Sequence, residues 1–370
     1  MKKVLRTFIS LALSFTILLT SIFAISAPKK KTTIGTTTTN TTTTSTTTTA
    51  STTTTNTQKT VLGFTTYYYT NDSSSLNSLQ NNYSAINEIV TATHVTDGYG
   101  NITGLIPVSQ ITYANDKNIT PMIMIGNNFD GKVAQILLES EANRKNFINN
   151  LLNIIKNNGY KGVNIDLEGV YYYDRNYYTT LVSEVYNTLK PLGFKVTISV
   201  PAKTYDSLTN SWNGAYDYKA LSNYVDEMII MTYDEHYPGG SPGPVASIGW
   251  VENVIKYTLT VVPKEKVLLG VAAYGYDWSS LGTKAYSING CYSLAQKNGA
   301  AIIWDDISKT SYFNYVDSSG ISHSVWFEDA KSLQYKIELV NKYGLKGIGI
   351  WRLGLENSEY WGMIKLKFNK

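Results

Sequence analysis

The chain is poor in the residues from which many binding and redox sites are built: one cysteine (Cys291) and three histidines (His94, His236, His323) in 370 residues. A lone cysteine excludes a disulfide framework and a cysteine-based zinc centre, and Cys291 reads as a small packing residue. The histidines are far apart in sequence and none falls into an H-x-x-H-like spacing, so no metal site is expected. Acidic residues are missing altogether from residues 1–59, which hold seven Lys/Arg. The formal net charge of +4 therefore belongs to that tail, since the remaining residues carry 25 bases against 28 acids, a net of −3. A globular part this close to neutral offers no basic surface for nucleic acid. Neither G-x-G-x-x-G nor G-x-x-x-x-G-K-[ST] occurs, which removes the familiar phosphate-cradling loops.

What is present begins with an export pattern. Lys2, Lys3 and Arg6 precede an apolar run from Phe8 to Ile25, and small residues follow, so residues 1–27 read as a secretory signal cut after Ser26 with Ala24 at the −3 position. The apolar run is also close to spanning length, which leaves an uncleaved anchor as the alternative; with cleavage, no stable membrane insertion is expected. Residues 28–59 form a Thr-rich linker, with 19 Thr between positions 32 and 57 in blocks of four separated by Asn, Ser or Ala. Such a segment has almost nothing to bury, and its β-branched residues favour an extended backbone. It reads as a spacer of the kind that is often O-glycosylated. Lys29–Lys31 could touch an anionic wall polymer or simply be solvated.

From Thr60 onward, strand-like and helix-like segments alternate. Apolar runs fall at 61–67, 88–95, 119–126, 162–168, 195–201, 226–233, 267–274 and 347–354. Amphipathic stretches of helical length lie between most of them, at Ala142–Asn158, Arg175–Leu192, Ala246–Val262 and Trp326–Tyr343. Eight strands alternating with helices predict an α/β fold, a (β/α)8 TIM barrel over residues 60–370. The rival, a doubly wound open sheet, lacks its Gly-rich loop after the first strand. The rhythm breaks once. A small α+β insertion is expected at about 279–325, with strand-like pieces at Ala300–Trp304 and Tyr312–Val316 and a turn at Asp317–Gly320, on the rim where barrels carry functional elaborations.

On the fourth run, Asn164, Asp166 and Glu168 alternate with Val163, Ile165 and Leu167. A period of two puts the three polar groups on one face, about 7 Å between successive side chains, pointing into the barrel mouth. Three polar groups aimed at a core are costly unless paired or open to a ligand cavity. Glu168 is nearest the C-terminal end of its strand, where barrel enzymes place catalytic groups.

These residues resemble the strand-four motif D-G-x-D-x-D-x-E of family 18 glycoside hydrolases, the chitinase-like barrels. Here the stretch Lys161-Gly162-Val163-Asn164-Ile165-Asp166-Leu167-Glu168 keeps the last Asp and the Glu, while Lys161 and Asn164 replace the first two Asp. Met231-Thr232-Tyr233-Asp234, Tyr274-Gly275 and Trp351 stand at the stations the family leads one to expect on strands six, seven and eight. The segments GVNIDLEGV, MTYDEHYPGGSPGPVASIGWVE, GVAAYGYDW, VWFEDAKS and GIGIWRLGLE are similar to a branch found in bacterial spore-cortex and cell-wall enzymes that cleave peptidoglycan as N-acetylglucosaminidases. That branch often carries lysin-motif repeats; none is visible, and the Thr-rich linker occupies their place.

The resemblance implies retaining hydrolysis in which the 2-acetamido group of the substrate is the nucleophile, an exception to the two-carboxylate scheme. Glu168 would be general acid and base, Asp166 would hold the acetamido N–H and offset the oxazolinium charge, and Tyr233 would bind the acetamido oxygen. Asn164 would donate to Asp166 without relaying a proton, leaving Asp166 ionised throughout. Trp351 would floor the sugar subsite, or else be a core residue at the barrel end. Asp234, Tyr274, Asp277 and Trp278 are expected as subsite residues, with Asp234 alternatively capping the loop Pro238–Pro244. Asn127, with Asn128, is expected to touch sugar or to serve turn chemistry only. The expected partner is a polysaccharide, peptidoglycan or chitin; no cofactor is implied, and a secreted monomer acting outside the cell or at its wall is expected. A non-catalytic glycan-binding barrel is the competing class.

Overall fold

The computed structural model describes residues 58–370, so the signal segment and nearly all of the Thr-rich linker lie outside the described residues. The strands are β1 (Thr60–Thr65), β2 (Glu88–Thr96), β3 (Ile102–Gly104), β4 (Thr120–Gly126), β5 (Gly162–Asp166), β6 (Lys195–Pro201), β7 (Glu227–Met231), β8 (Val267–Ala272), β9 (Tyr274–Ser279), β10 (Gly282–Ser287), β11 (Ile303–Asp305), β12 (Thr310–Val316), β13 (Ser322–Phe327) and β14 (Gly347–Trp351). The helices are α1 (Ser74–Asn82), α2 (Val108–Asp116), α3 (Gly131–Glu139), α4 (Glu141–Asn157), α5 (Arg175–Leu189), α6 (Tyr218–Leu221), α7 (Ile248–Thr258), α8 (Ile288–Lys297), α9 (Ala330–Tyr343) and α10 (Ser358–Phe368).

Eight parallel strands run in the order β1, β14, β8, β7, β6, β5, β4, β2, and β1 also pairs with β2, which closes the sheet into the expected barrel. β3 adds an antiparallel edge to β2. Alternation along each strand divides the interior into two layers. Val61, Val163, Ile165, Val196 and Ile198 face outward and pack with helix residues such as Leu181, Val182 and Val185. Leu62, Phe64, Val90, Met122, Ile229 and Leu268 point inward and fill the barrel, so it is a packed core rather than a pore.

The insertion is a five-stranded antiparallel sheet, β10-β9-β13-β12-β11, backed by α8. It runs from Tyr274 to Phe327, wider at both ends than the sequence pattern indicates. The seventh barrel strand stops at Ala272, because Ala273 N makes the last link to Trp351 O (2.9 Å) and pairing then passes to the insertion, Tyr274 opposite Ser287 and Gly275 opposite Phe327. At the other end Trp326 and Phe327 belong to β13, and the helix expected from Trp326 begins at Ala330. Asp329 is its cap, with a reciprocal Asp329–Ser332 capping box.

Candidate active site

The C-terminal ends of β5, β7, β8 and β14 converge at the barrel mouth, where β9 begins, and strand alternation sets which side chains turn inward. Asn164 is fully buried below the mouth: its amide donates to Thr197 Oγ1 (3.0 Å) and its carbonyl oxygen accepts from Ser199 Oγ (3.0 Å). This corrects the expected pairing, since the Asn164 amide is spent on β6 and does not reach Asp166. Asp166, 9% exposed, is left with a buried Oδ1 that has no hydrogen-bond partner among the described residues. Burial without a donor pushes its carboxyl up to about 7. Burial thus favours the protonated form of Asp166 in the free site, against the expectation that it stays ionised throughout.

Glu168, half-buried, lies two residues beyond the end of β5 at Asp166. Burial first, then the nearby charges of Asp166 and Asp234, hold its carboxyl well above the usual range. Its main chain is clamped from across the mouth. Asn127 Oδ1 accepts from Glu168 N (2.8 Å), while Asn127 Nδ2 donates to Glu168 O (2.8 Å) and to Asp130 O (3.0 Å). Tyr216 OH donates to Leu167 O (2.9 Å) from the outer layer. The next residue, Gly169, has φ of +65°, and a Cβ there would sit 2.9 Å from Phe129 O; the close turn that presents Glu168 thus requires glycine. Asn127 is 2% exposed and all its hydrogen bonds are internal, so it acts on the orientation of Glu168.

Tyr233 and Asp234 follow β7, which ends at Met231. Asp234 adopts φ of +60° and accepts from Tyr274 OH (2.6 Å) and Tyr276 OH (3.0 Å). These hydroxyls, and not the Pro238–Pro244 loop, occupy its carboxylate. The loop is tied instead by Glu235, which accepts from Ser247 N and Ser247 Oγ. Burial outweighs the two hydroxyls and raises the Asp234 carboxyl. The Tyr233 phenol is likewise raised well above its usual range, by burial and then by Asp166, Glu168 and Asp234, so its OH stays a donor.

An aromatic ladder leads outward from this cluster: Tyr233 to Tyr274 (6.4 Å between ring centroids), Tyr274 to Tyr276 (5.4 Å) and Tyr276 to Trp278 (5.5 Å), each contact edge-on. At its far end a cavity of about 770 Å³ is lined by Trp278, Gly239, Gly240, Asn314, His323 and their neighbours. Trp351 is half-buried, with one side packed on Phe64 (5.4 Å) in the barrel core and on the aromatic group of β9. It is a core residue and a mouth residue at once. Asp277 is not a mouth residue: alternation turns it to the other side of β9, where it is 2% exposed and accepts from Tyr315 OH and His323 Nδ1. Tyr276 and the clamp formed by Asn127 are the features that residue-by-residue inspection misses. The alternation in Tyr274-Gly275-Tyr276-Asp277-Trp278 carries the signal for the first; nothing local carries it for the second.

The mouth thus combines one presented carboxyl, one deeper carboxyl without a donor, a phenol donor and an aromatic floor, with no cation among them. Such a set can protonate a leaving oxygen and receive an N–H or positive charge from a ligand. The sequence matches the model of Glycosyl hydrolases family 18 over residues 65–356. Among similar proteins, the glycosylase YvbX of Bacillus subtilis is 34% identical over 305 residues, covering 80% of this chain and 89% of the relative. The cortical fragment-lytic enzyme of the same organism is 31% identical over 274 residues, 71% of this chain and 64% of the relative, so less than two-thirds of that relative's length is matched. The spore cortex-lytic enzyme SleL of Bacillus cereus superposes with a TM-score of 0.79 at 27% identity, covering 84% of this chain and 74% of that one. A chitinase of Chromobacterium violaceum superposes at 0.78 and 28%, covering 84% and 99%. With this site at the mouth of this barrel, the chain is a glycosidase and belongs to glycosyl hydrolases family 18.

Proposed function

We propose that the protein is a secreted, retaining hydrolase that cleaves β-1,4 bonds of N-acetylglucosamine in peptidoglycan, with the substrate's own acetamido group as nucleophile. The observation that carries the mechanism is the buried Asp166 oxygen without a partner. A buried carboxylate in that state is costly, and an acetamido N–H delivered by the substrate supplies what the protein withholds. Neither other carboxyl is placed to act as a protein nucleophile: Asp234 is tied by two phenols, and Glu168 is the acid.

In the first step Glu168 gives its proton to the glycosidic oxygen while the acetamido oxygen attacks the anomeric carbon; the C1–O bond breaks, and the free chain end leaves with the proton. Asp166 accepts the N–H of the resulting oxazolinium and offsets its positive charge. Tyr233 donates to the acetamido oxygen beforehand and holds it in line. In the second step Glu168, now ionised, takes a proton from water, whose oxygen attacks C1 from the face the leaving group vacated; the bond from C1 to the acetamido oxygen breaks, its electron pair restores the neutral acetamide, and configuration is retained. Trp351 offers an apolar face to the sugar ring's C–H groups.

Peptidoglycan is favoured over chitin by the names of the similar proteins, which include spore-cortex-lytic and cortical fragment-lytic enzymes. The export pattern and Thr-rich spacer suit an enzyme that works outside the cell. Chitin oligomers are the second reading, supported by the chitinase structures. The deciding experiment incubates the purified protein with peptidoglycan, spore cortex and chitin in parallel and identifies new reducing ends by mass spectrometry. New N-acetylglucosamine ends from peptidoglycan are expected. New muramic ends, or cleavage of chitin alone, would overturn the proposal. A thiazoline analogue of N-acetylglucosamine is expected to inhibit competitively, and its failure to bind would count against acetamido participation.

A further inference from the structure

Three arginines lie among the described residues, and two are committed to carboxylates: Arg144 to Glu184, and Arg175 to both Asp206 and Asp217. Arg352 is different. It follows Trp351 directly at the end of β14, on the rim of the mouth, and is half-buried. Its guanidinium carbon lies 5.5 Å from the ring centroid of Tyr68, which is 54% exposed on the loop after β1, and its one hydrogen bond among the described residues runs from Nη1 to Leu353 O (3.3 Å). The nearby carboxylate, Asp72, accepts instead from Tyr68 N, Ser74 N and Ser74 Oγ. Burial tends to raise Asp72; those hydrogen bonds, with a smaller share from the charge of Arg352, bring it below its ordinary value. Most of the guanidinium fork therefore stands open beside the aromatic floor.

A neutral glycan has no use for a free cation at that place, whereas an acidic one meets a mouth holding Asp166, Glu168 and Asp234 and needs a counter-charge. We propose that Arg352, backed by Tyr68, is a specificity-determining residue that binds a carboxylate carried on the 3-O-lactyl arm of the sugar adjoining the one over Trp351. This rests on the peptidoglycan reading given above, because chitin bears no such group. The planar fork suits a carboxylate bidentately, and Tyr68 holds the guanidinium in plane. The carboxylate has two possible sources: the lactyl acid itself on strands stripped of peptide, or the first free carboxylate of an attached stem peptide.

The test uses the full protein on five substrates: peptide-free glycan strands, peptide-bearing strands, each of these with its carboxyls amidated, and chito-oligosaccharides. Wild type is expected to show kcat/KM about tenfold higher on the carboxylate form than on its amidated counterpart, a preference that weakens with added salt. R352Q is expected to abolish that preference, and R352K to keep part of it. A preference on peptide-free strands assigns the lactyl acid as ligand; one confined to peptide-bearing strands assigns the peptide. Equal rates on carboxylate and amidated strands in wild type overturn the inference alone, and need no variant to be folded. A preference that survives in R352Q does the same. Cleavage of chito-oligosaccharides with none of any muramic strand overturns both this inference and the function on which it rests.

Discussion

The two ends of one barrel hold buried carboxyls in opposite ways. At the floor, Glu227 is fully buried where β7 begins, and Lys195 Nζ and Lys346 Nζ each lie 2.7 Å from its Oε1, with Lys195 also bridging to Glu88. Burial alone tends to raise Glu227, but Lys195 and the hydrogen bonds around it hold it below its ordinary value, and the competition for Lys195 leaves Glu88 pushed up to about 7 by burial and by Glu227. At the mouth, Asp166, Glu168 and Asp234 have no lysine or arginine paired with them among the described residues, and burial raises all three. Two acids balanced by two bases close the bottom of the sheet. Three acids without a paired base are all pushed toward the protonated form by burial, an arrangement that acid–base chemistry calls for.

The sharpest break in that comparison comes from removing the mouth's presented acid. Glu168→Gln is expected to cut kcat about 10⁴-fold on a soluble glycan, the upper end of what a general acid contributes, because one residue serves both steps. Its melting temperature is expected to hold or rise, since the amide relieves a crowded, unpaired carboxyl. A marked loss of Tm with most of the activity kept would mean that the mouth is built for stability like the floor.

The floor gives the converse. Lys195→Met strips Glu88 of its partner and leaves Glu227 with Lys346 alone, a buried pair broken from one side; the expected cost is about 3 kcal/mol, or roughly 5 °C in Tm, with kcat at permissive temperature nearly that of wild type. Thermal melts and initial rates on the same preparation check both halves. An equal loss of rate would show that the two ends are coupled through the strands.

The barrel itself was legible in the sequence because parallel strands buried on both faces write themselves as short apolar runs, and all eight runs became strands. Alternation also placed Asn164, Asp166 and Glu168 correctly on one face. Periodicity tells which face a side chain takes and not which partner it meets. Alternation alone therefore pairs Asn164 with Asp166, whereas Thr197 and Ser199, on the neighbouring strand, hold it. Asn127 and Glu168 are likewise 41 residues apart, and only the strand register of β4 against β5 brings them together. The missed boundary at Trp326 has a local cause, since the apolar pair Trp326–Phe327 continues the helical spacing of α9 while the Asp329–Ser332 box, which marks the true start, is quiet in a hydrophobic pattern.

Asn127 separates a sugar contact from a clamp. Asn127→Ala deletes both hydrogen bonds to the Glu168 peptide, and a presented acid that drifts loses its line to the glycosidic oxygen, so kcat is expected to fall roughly 30-fold with KM little changed. A rise in KM at constant kcat would return Asn127 to the role of a sugar ligand.

The smallest expected effect probes why the mouth lacks the additional carboxylate that Asn164 replaces. Asn164→Asp places an acid beneath Asp166 at a fully buried position. Protonated, it can still donate to Thr197 Oγ1; ionised, or sharing its proton with Asp166, it adds negative charge below both mouth acids. Negative charge raises the pKa of a neighbouring carboxyl, and the active form needs Glu168 protonated and Asp166 ionised. The sign is therefore fixed: both limbs of the pH–rate profile move upward, the alkaline limb by about one unit. Measuring kcat/KM from pH 4 to 9 for the variant and wild type decides it. An unmoved profile would show that Thr197 and Ser199 keep the new proton to themselves, and that the raised carboxyls of the mouth owe their protons to burial alone.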